Sequence, residues 1–276
     1  MKREKKLTLL GDILGVIITV VVFIVPFWFM LVNSLKDRKE ANLMNIAWPS
    51  QMHWENYAEV FQTNDYMLLT AFKNSLIITV FSVAILILSC AIAGYVIQRR
   101  RDCAVGIASN IIMVGLMIPA AILPTISLLQ SLHIFKTLFS MIMIEVALQI
   151  PFTIMLYRSF MASIPIELEE AARIDGCNRW QIFYKIVLPL LKPITSTVII
   201  LDAVTVFNDF SNPLYFLPGN DNATVQLTLY NFKGQFSSSY NLLFADVIIV
   251  TIPMLILFLI FNKKIVAGMV TGSVKG

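Results

Sequence analysis

Residues 163–193 read SIPIELEEAARIDGCNRWQIFYKIVLPLLKP, a polar interruption in a chain otherwise dominated by long apolar runs. Acidic residues open the stretch, and they place negative charge where a helix dipole is positive. Gly176 follows, and glycine is the residue that most easily takes a positive φ at a helix end. The pattern predicts two short helices separated by a tight turn.

The second of these helices has its own start and stop signals. Asn178, with Gln181 three residues later, is a plausible capping pair at its beginning. Pro189 and Pro193 are expected to close it, because proline cannot continue a helix in the ordinary way.

On the first helix, three small or apolar residues and one aspartate recur at spacings of three and four. They are Leu168, Ala171, Ala172 and Asp175, and they form a narrow face flanked by charge. Such a face suits a groove on another protein. An amphipathic helix resting on the membrane surface is the alternative, but the apolar face is narrow for strong membrane binding.

Composition fixes the class of protein around this loop. Apolar residues make up 58% of the 276 residues and charged residues 14%. Apolar runs of about 20 residues recur, which is the length that spans a bilayer. The sequence therefore predicts an all-α polytopic membrane protein with a single domain of six spans over residues 12–262, between tails at 1–11 and 263–276. The spans are expected at 13–32, 72–97, 107–129, 138–160, 194–210 and 243–261.

The basic start followed by an apolar run could also be a cleaved signal peptide. The run is long for a signal core, and residues 33–40 offer no small-x-small cleavage site, so we interpret it as a retained first span. Six spans place both termini on one side, and most of the 21 lysines and arginines fall on that side. The positive-inside rule makes it the cytoplasm. The loops at 34–71 and 212–241 are then external, and the loop at 161–193 is cytoplasmic.

Several functions lack their usual sequence signals. No phosphate-binding Gly-x-x-x-x-Gly-Lys-[Ser/Thr] loop occurs, and no His, Cys and carboxylate spacing indicates a metal site. No nucleophile is paired with an evident base, so we predict neither catalytic residues nor a metal site. The net charge of +4 is explained by basic side chains at membrane boundaries, without a nucleic-acid partner.

Span five carries a polar stripe. Asp202, Thr205, Asn208 and Asp209 recur at helical spacings and are bordered by phenylalanines, which suits a sugar-conducting surface. Hydrogen bonds between helices that stabilise the bundle are the alternative. A carboxylate within a span is expensive against lipid, so Asp202 and Glu145 are expected to face protein or water, whereas Asp246 lies near a boundary and is expected to be solvated there.

Two motifs carry a family resemblance. Glu170-Ala-Ala172, followed by Gly176 and by Ile186-Val-Leu-Pro189, resembles the "EAA" signature of the permease subunits of binding-protein-dependent ABC importers. The sequence around this signature resembles that of the carbohydrate branch of these importers, in particular of maltose-like systems. Phe207-Asn-Asp-Phe210 resembles a second sequence motif of that branch, with Phe207 in place of a tryptophan.

The resemblance implies a type I importer permease in a bacterial or archaeal plasma membrane. It implies a second permease, two copies of an ATPase that bind ATP and Mg, an extracytoplasmic solute-binding protein and a carbohydrate substrate. No cofactor is expected in this chain. The ATPase-coupling residues carried over are Glu169, Glu170, Ala171, Ala172, Arg173, Asp175 and Gly176, and a C-terminal contact with the ATPase is carried over at Lys275 and Gly276. A stand-alone carrier driven by an ion gradient, with Glu145 or Asp202 as proton carrier, and an intramembrane enzyme are the competing hypotheses.

Overall fold

A computed structural model of the chain describes the backbone of residues 2–234 and 238–273, and the side chains of residues 11–234 and 238–261. Apart from one isolated bridge between Lys233 and Ser238, the ordered elements in these ranges are helical. The α-helices are α1 (Lys2–Thr19), α2 (Val25–Ser34), α3 (Arg38–Ala41), α4 (Glu55–Arg99), α5 (Cys103–Gly115), α6 (Ile122–Ser131), α7 (Leu138–Met161), α8 (Glu167–Ile174), α9 (Arg179–Ile182), α10 (Leu188–Leu190), α11 (Lys192–Phe207), α12 (Ser211–Phe216), α13 (Val225–Thr228) and α14 (Tyr240–Ser273). Two π-helices, Val20–Ile24 and Phe183–Val187, and a 3-10 helix, Leu229–Phe232, complete the order.

The chain divides into two compact units. The first comprises residues 1–71 and 225–252, and the second comprises residues 72–224 and 253–276. Two long helices, α4 and α14, each contribute one part to either unit.

The first unit contains a fully enclosed lysine. Lys36 has 0% of its surface exposed. Its ammonium donates to Asn33 Oδ1 at 3.2 Å, to the Asn45 carbonyl at 2.9 Å and to Asn45 Oδ1 at 2.7 Å. Nearby, Asn56 Nδ2 donates to the carbonyl oxygens of Ser34 and Lys36. These bonds fix the chain where it leaves α2, because they give partners to polar groups that are removed from water.

The second unit has one apolar core, built mainly from α4, α7 and α11 with the loop that joins α7 to α11. Gly94 marks where α4 and α7 approach most closely. A Cβ added there would lie 2.9 Å from Tyr157 Cβ and 3.2 Å from the Arg158 amide nitrogen. Only a residue without a side chain fits this crossing.

The predicted spans are present as helices in part. Among the described residues, four helical stretches are long and apolar enough to cross a membrane, at 11–34, 55–99, 138–161 and 240–261. A fifth is counted if Arg179–Leu190 and Lys192–Phe207, bent by 71°, are taken as one broken span. The fourth predicted span agrees with α7 within a residue.

The third predicted span is not one helix. Residues 107–129 are divided between α5 and α6, with six non-helical residues from Leu116 to Ala121 between them. Pro119 lies in this gap, where it cannot donate a backbone hydrogen bond to continue α5. The expectation of a continuous span here was wrong, because apolar composition reports burial in lipid and not helical continuity.

The segment before the second predicted span is also more structured than a loop. Helix α4 begins at Glu55, although its path is interrupted by non-helical angles from Thr63 to Tyr66. Three consecutive residues there, Asn64, Asp65 and Tyr66, have positive φ.

Candidate functional site

Helix α8 ends in a well-defined stop. Gly176 has a φ of +85°. Its amide donates to the Arg173 carbonyl at 3.1 Å, and the Cys177 amide donates to the Ala172 carbonyl at 3.0 Å. This pair of bonds is the Schellman arrangement, which satisfies carbonyls that a helix end leaves free. The predicted glycine stop is confirmed.

The next helix begins with the predicted capping pair. The Gln181 amide donates to Asn178 Oδ1 at 2.9 Å, and the Asn178 amide donates to Gln181 Oε1 at 2.8 Å. The turn of Gly176 to Asn178 is therefore fixed from both sides.

The predicted closure of that helix at the two prolines is confirmed. The helical run from Arg179 ends at Leu190, and the chain bends by 71° into α11, which has Pro193 in its first turn. Pro189 lies inside the run, in the first turn of α10, and the π-helix Phe183–Val187 ends two residues before it. A π-turn widens the helix where a proline ring would otherwise meet the carbonyl four residues earlier, so the proline is accommodated inside.

Helix α8 presents two different faces. Glu169 and Ala172 are buried, with 3% and 5% of their surface exposed. Leu168, Ala171 and Ile174 are exposed, Ile174 at 87%. The structure therefore places Ala172 in the core of the second unit and leaves Leu168, Ala171 and Ile174 as the outward apolar face.

The buried Glu169 is held by helix α4. Arg99 Nε donates to Glu169 Oε1 at 2.7 Å, and the Tyr95 hydroxyl donates to Glu169 Oε2 at 2.9 Å. Arg99 Nη2 also donates to the Ile164 carbonyl at 2.9 Å. Charge-assisted bonds of this length are among the stronger ones in proteins. The sequence analysis assigned Arg99 only to the positive membrane boundary and gave it no partner.

A cavity of about 550 Å³ lies beside this contact. It is lined by the inner side of α8, by the end of α4 and by the start of α9. Its charged lining residues are Arg99, Arg100, Glu169, Glu170, Arg173 and Arg179, and its aromatic ones are Tyr95, Trp180 and Phe183. Of the predicted coupling residues, Glu169, Glu170 and Arg173 face the cavity, whereas Ala171, Asp175 and Gly176 do not line it.

The structure does not bring the polar stripe of span five together on one surface. Asp202 is 1% exposed, and the Thr153 hydroxyl on α7 donates to its Oδ2 at 3.0 Å. Thr205 is exposed, and its hydroxyl donates to the Leu201 carbonyl within its own helix. Helix α11 ends at Phe207, so Asn208 and Asp209 follow it and do not extend its stripe.

Asp209 has two neighbours of its own. Asn212 donates to it from both the backbone amide and the side chain. The carboxyl of Glu145 on α7 lies near that of Asp209. Glu145 is 1% exposed, and its Oε1 has no hydrogen-bond partner among the described residues. The expectation that Glu145 and Asp202 face protein agrees with these positions.

The remaining expectations concern the ends of the chain. Asp246 is fully buried and accepts a hydrogen bond from Thr228 at 2.9 Å, so the expectation of solvation at the interface was wrong. Lys275 and Gly276, predicted to contact an ATPase, lie outside the described residues.

Comparison with known proteins supports the interpretation of the loop. The family model described as "Binding-protein-dependent transport system inner membrane component" matches residues 91–270. The chain is 33% identical over 260 residues to the melibiose/raffinose/stachyose import permease protein MelC of Bacillus subtilis, covering 91% of each chain. It is 31% identical over 282 residues to the multiple sugar-binding transport system permease protein MsmG of Streptococcus mutans, covering 100% of each.

The fold has solved counterparts. A chain of the crystal structure of a bacterial ABC transporter that imports the acidic polysaccharide alginate superimposes with a TM-score of 0.83 at 20% identity, covering 95% of this chain and 98% of that one. The type I importer permease fold predicted from residues 163–193 is thus the fold observed, and the resemblance to carbohydrate ABC importer permeases is confirmed by the relatives. The chain belongs to the family of inner membrane components of binding-protein-dependent transport systems.

Proposed function

We propose that this chain is one membrane-spanning subunit of an ATP-driven importer of a sugar or related carbohydrate, and that it forms half of the translocation pathway. The observation that carries the proposal is the loop from α7 to α11. It combines a rigid, capped helix pair with an outward apolar face of Leu168, Ala171 and Ile174. Relatives named for the import of melibiose, raffinose, stachyose and multiple sugars support the substrate class.

In this proposal, the chain pairs with a second permease and with two ATPase subunits in the cytoplasm, which bind ATP and Mg. A solute-binding protein docks on the opposite side and delivers the carbohydrate. One structural neighbour is a bacterial alginate transporter in complex with a pentasaccharide-bound periplasmic protein, which supports a binding-protein partner. The chain crosses a bacterial or archaeal plasma membrane six times with both termini in the cytoplasm. The broken segment at 107–129 and the bent pair around Leu191 each count as one span.

The mechanism follows from the geometry of α8. Its outward face lies in a groove of one ATPase, and closure of the ATPase pair on ATP displaces α8. Since Glu169 and Ala172 fix the inner face to the second unit, the displacement is carried into the bundle and is not lost in the loop. The spans then alternate between two packings of similar free energy. Asp202, Thr205, Asn208 and Asp209 remain the candidate path residues, with Thr205 and Asn208 the exposed members.

The ion-coupled carrier has no support from the comparisons, whose named relatives are permeases of import systems. The intramembrane enzyme also lacks a supporting observation. Glu145, which the carrier hypothesis used, is enclosed within the second unit.

A photo-crosslinking experiment in intact cells tests the proposal. A photoreactive amino acid is placed at Ala171 in one variant and at Leu43, which is 71% exposed and lies in the predicted external loop, in another as the control. We expect the probe at Ala171 to capture an ATP-hydrolysing subunit and the probe at Leu43 to capture none. Capture of an extracytoplasmic protein from position 171, or uptake by vesicles holding this chain alone, would contradict the proposal.

A further inference from the structure

The end of helix α4 is hydrogen-bonded to the buried face of α8 through one carboxylate, that of Glu169. Both oxygens of Glu169 are occupied, one by Arg99 Nε at 2.7 Å and the other by the Tyr95 hydroxyl at 2.9 Å. Tyr95 and Arg99 are four residues apart, so they lie on the same face of α4 in successive turns. The carboxylate is therefore fixed in direction as well as in distance.

The same arginine also holds the chain that leads into α8. Its Nη2 donates to the carbonyl of Ile164, the residue before Pro165. That carbonyl lies in the connection between α7 and α8, where it is outside both helices and has no hydrogen bond within a helix available to it. Arg99 thus bridges the connection and α8 itself.

This contact is shielded from solvent. The side chains of Arg99 and Glu169 are only 14% and 4% exposed. A charge pair at this depth is screened by salt far less than a surface pair, and removing one partner leaves the other charged group without compensation.

The surrounding packing makes the contact stiff. Gly94, one residue before Tyr95, is the close crossing of α4 against Tyr157 on α7. The Tyr95 ring also contacts the Phe183 ring, with centroids 5.4 Å apart, at the start of the π-helix that follows α9. The end of α4 therefore contacts three elements: α7, α8 and the π-helix Phe183–Val187.

Connectivity alone would not bring α4 into the motion of α8. The nearest covalent neighbours of α8 are α7 and α9, whereas Arg99 precedes Glu169 by 70 residues in the chain. A displacement of α8 reaches α4 through this polar contact and the packing beside it.

We propose that Arg99, with Tyr95, is a positioning residue that locks the coupling helix α8 to the end of α4, so that both move as one body during transport. This inference rests on the proposed function and deepens it by naming a further helix, α4, that the displacement of α8 moves directly. Glu169 acts here from the inside of α8 and does not contribute to the surface that meets the ATPase.

The test uses the complete transporter, with its partner subunits, in proteoliposomes. Four variants are compared with the parent protein: Arg99→Gln, Glu169→Gln, the charge exchange Arg99→Glu/Glu169→Arg, and Arg101→Gln as the control. Arg101 is exposed, lies two residues after Arg99 and does not line the cavity beside α8, so it matches Arg99 in charge and approximate position only. The quantities measured are solute uptake and ATP hydrolysis.

We expect Arg99→Gln and Glu169→Gln to lower uptake per ATP hydrolysed by about tenfold, a typical size for coupling between two sites. Hydrolysis itself continues in both, and Arg101→Gln behaves as the parent. The charge exchange restores part of the loss, because the ion pair reforms in the opposite sense while the bond to Ile164 is not replaced. A role in stability alone would lower hydrolysis and uptake together and would give no recovery on exchange.

Tyr95→Phe keeps the inference testable if the charge variants fail to assemble. It removes one hydrogen bond and retains the ring that packs on Phe183, and we expect about a threefold loss of uptake per ATP. Spin labels at Gln98 and Glu167, in a chain without its native cysteines, give a readout besides activity. We expect a narrow distance distribution in the parent with and without nucleotide, and a broad one in Arg99→Gln.

Two failures are distinguishable. A parent complex whose ATP hydrolysis does not respond to loaded binding protein would refute the proposed function. A coupled parent with an equally coupled Arg99→Gln variant, or unchanged spin-label distances in that variant, would overturn only the role of Arg99.

Discussion

Two buried glutamates of the second unit differ in how their charge is accommodated. Glu169, in the loop between α7 and α11, has a guanidinium on one oxygen and a hydroxyl on the other. Glu145, within the bundle, has the carboxyl of Asp209 beside it and one oxygen without a partner among the described residues. Glu169 lies near the start of α8 and faces the end of α4, where Arg99 and Tyr95 can donate to it, whereas Glu145 lies within α7 without a cation beside it among the described residues.

The contrast indicates different duties for the two regions. A carboxylate with a strong donor on each oxygen is held in one geometry, as the proposed coupling role requires. Two neighbouring carboxyls repel when both are charged, so charge is accommodated less well at the pair in the bundle than at Glu169. The difference is one of satisfied against unsatisfied acceptors.

The largest expected effect comes from placing a charge on the buried face of α8. Ala172→Arg places a charge at a position that is 5% exposed, and we expect a loss of about 4 kcal/mol in stability, which is at the high end for single substitutions. Ala171→Arg, on the exposed face, leaves the fold intact and blocks coupling. Thermal unfolding in detergent separates the two, and equal melting temperatures for both variants would show that α8 is not anchored through Ala172.

A direct comparison of the two glutamates should give the next effect. Glu169→Ala leaves Arg99 and Tyr95 without their shared partner, and we expect a cost of about 3 kcal/mol. Glu145→Gln replaces one of two neighbouring carboxyls by an amide that can donate to Asp209, and we expect a change within about 1 kcal/mol. Chemical unfolding monitored by thiol labelling of buried Cys90 measures both. A greater loss for Glu145→Gln would reverse the contrast drawn above.

The crossing of α4 and α7 gives a smaller effect. Gly94→Val forces side-chain atoms into the 2.9 Å approach to Tyr157, and we expect about 2 kcal/mol of destabilisation. Gly106→Val, where nothing lies within 4 Å, is the control and should cost much less. Melting temperatures of the purified chains measure the difference. Equal values for the two variants would mean that α4 and α7 move apart at Gly94 at little cost.

The smallest effect concerns the cap of α9. Asn178→Ala removes the Oδ1 acceptor of the Gln181 amide and keeps the backbone amide that donates to Gln181 Oε1, and we expect a loss of about 1 kcal/mol in stability, the usual cost of a lost helix cap. Hydrogen exchange of the amides from Arg179 to Ile182 should quicken, while Asn110→Ala on exposed α5 leaves them unchanged. Unaltered exchange in the capping variant would indicate that packing alone holds α9.

The sequence predicted local features well, because short-range chemistry determines them. The glycine stop at Gly176 and the cap at Asn178 depend on neighbours within a few residues, and both were found as expected. Helix α7 was placed within a residue because one apolar run continues without interruption from Leu138.

Features that depend on distant partners were missed. Arg99 and Glu169 are 70 residues apart, and nothing in either local sequence indicates the pairing. Ala172 was assigned to a partner surface because spacing shows which residues share a face but not which face turns inward. Asp202 and Thr205 were grouped by spacing, yet one bonds to α7 and the other to its own helix. The break at Leu116 lies in an apolar run whose composition fits a continuous helix equally well.

The enclosed Lys36 has a consequence for the segment between α2 and α4. Its ammonium is surrounded by amide oxygens of Asn33 and Asn45 in place of a carboxylate. Dissolved ions compete poorly for such a dehydrated position, because mobile charge in the surrounding liquid weakens buried contacts much less than exposed ones. This stretch of the protein should therefore keep its shape from dilute water to brine, a useful property for a cell whose surroundings change in osmotic strength.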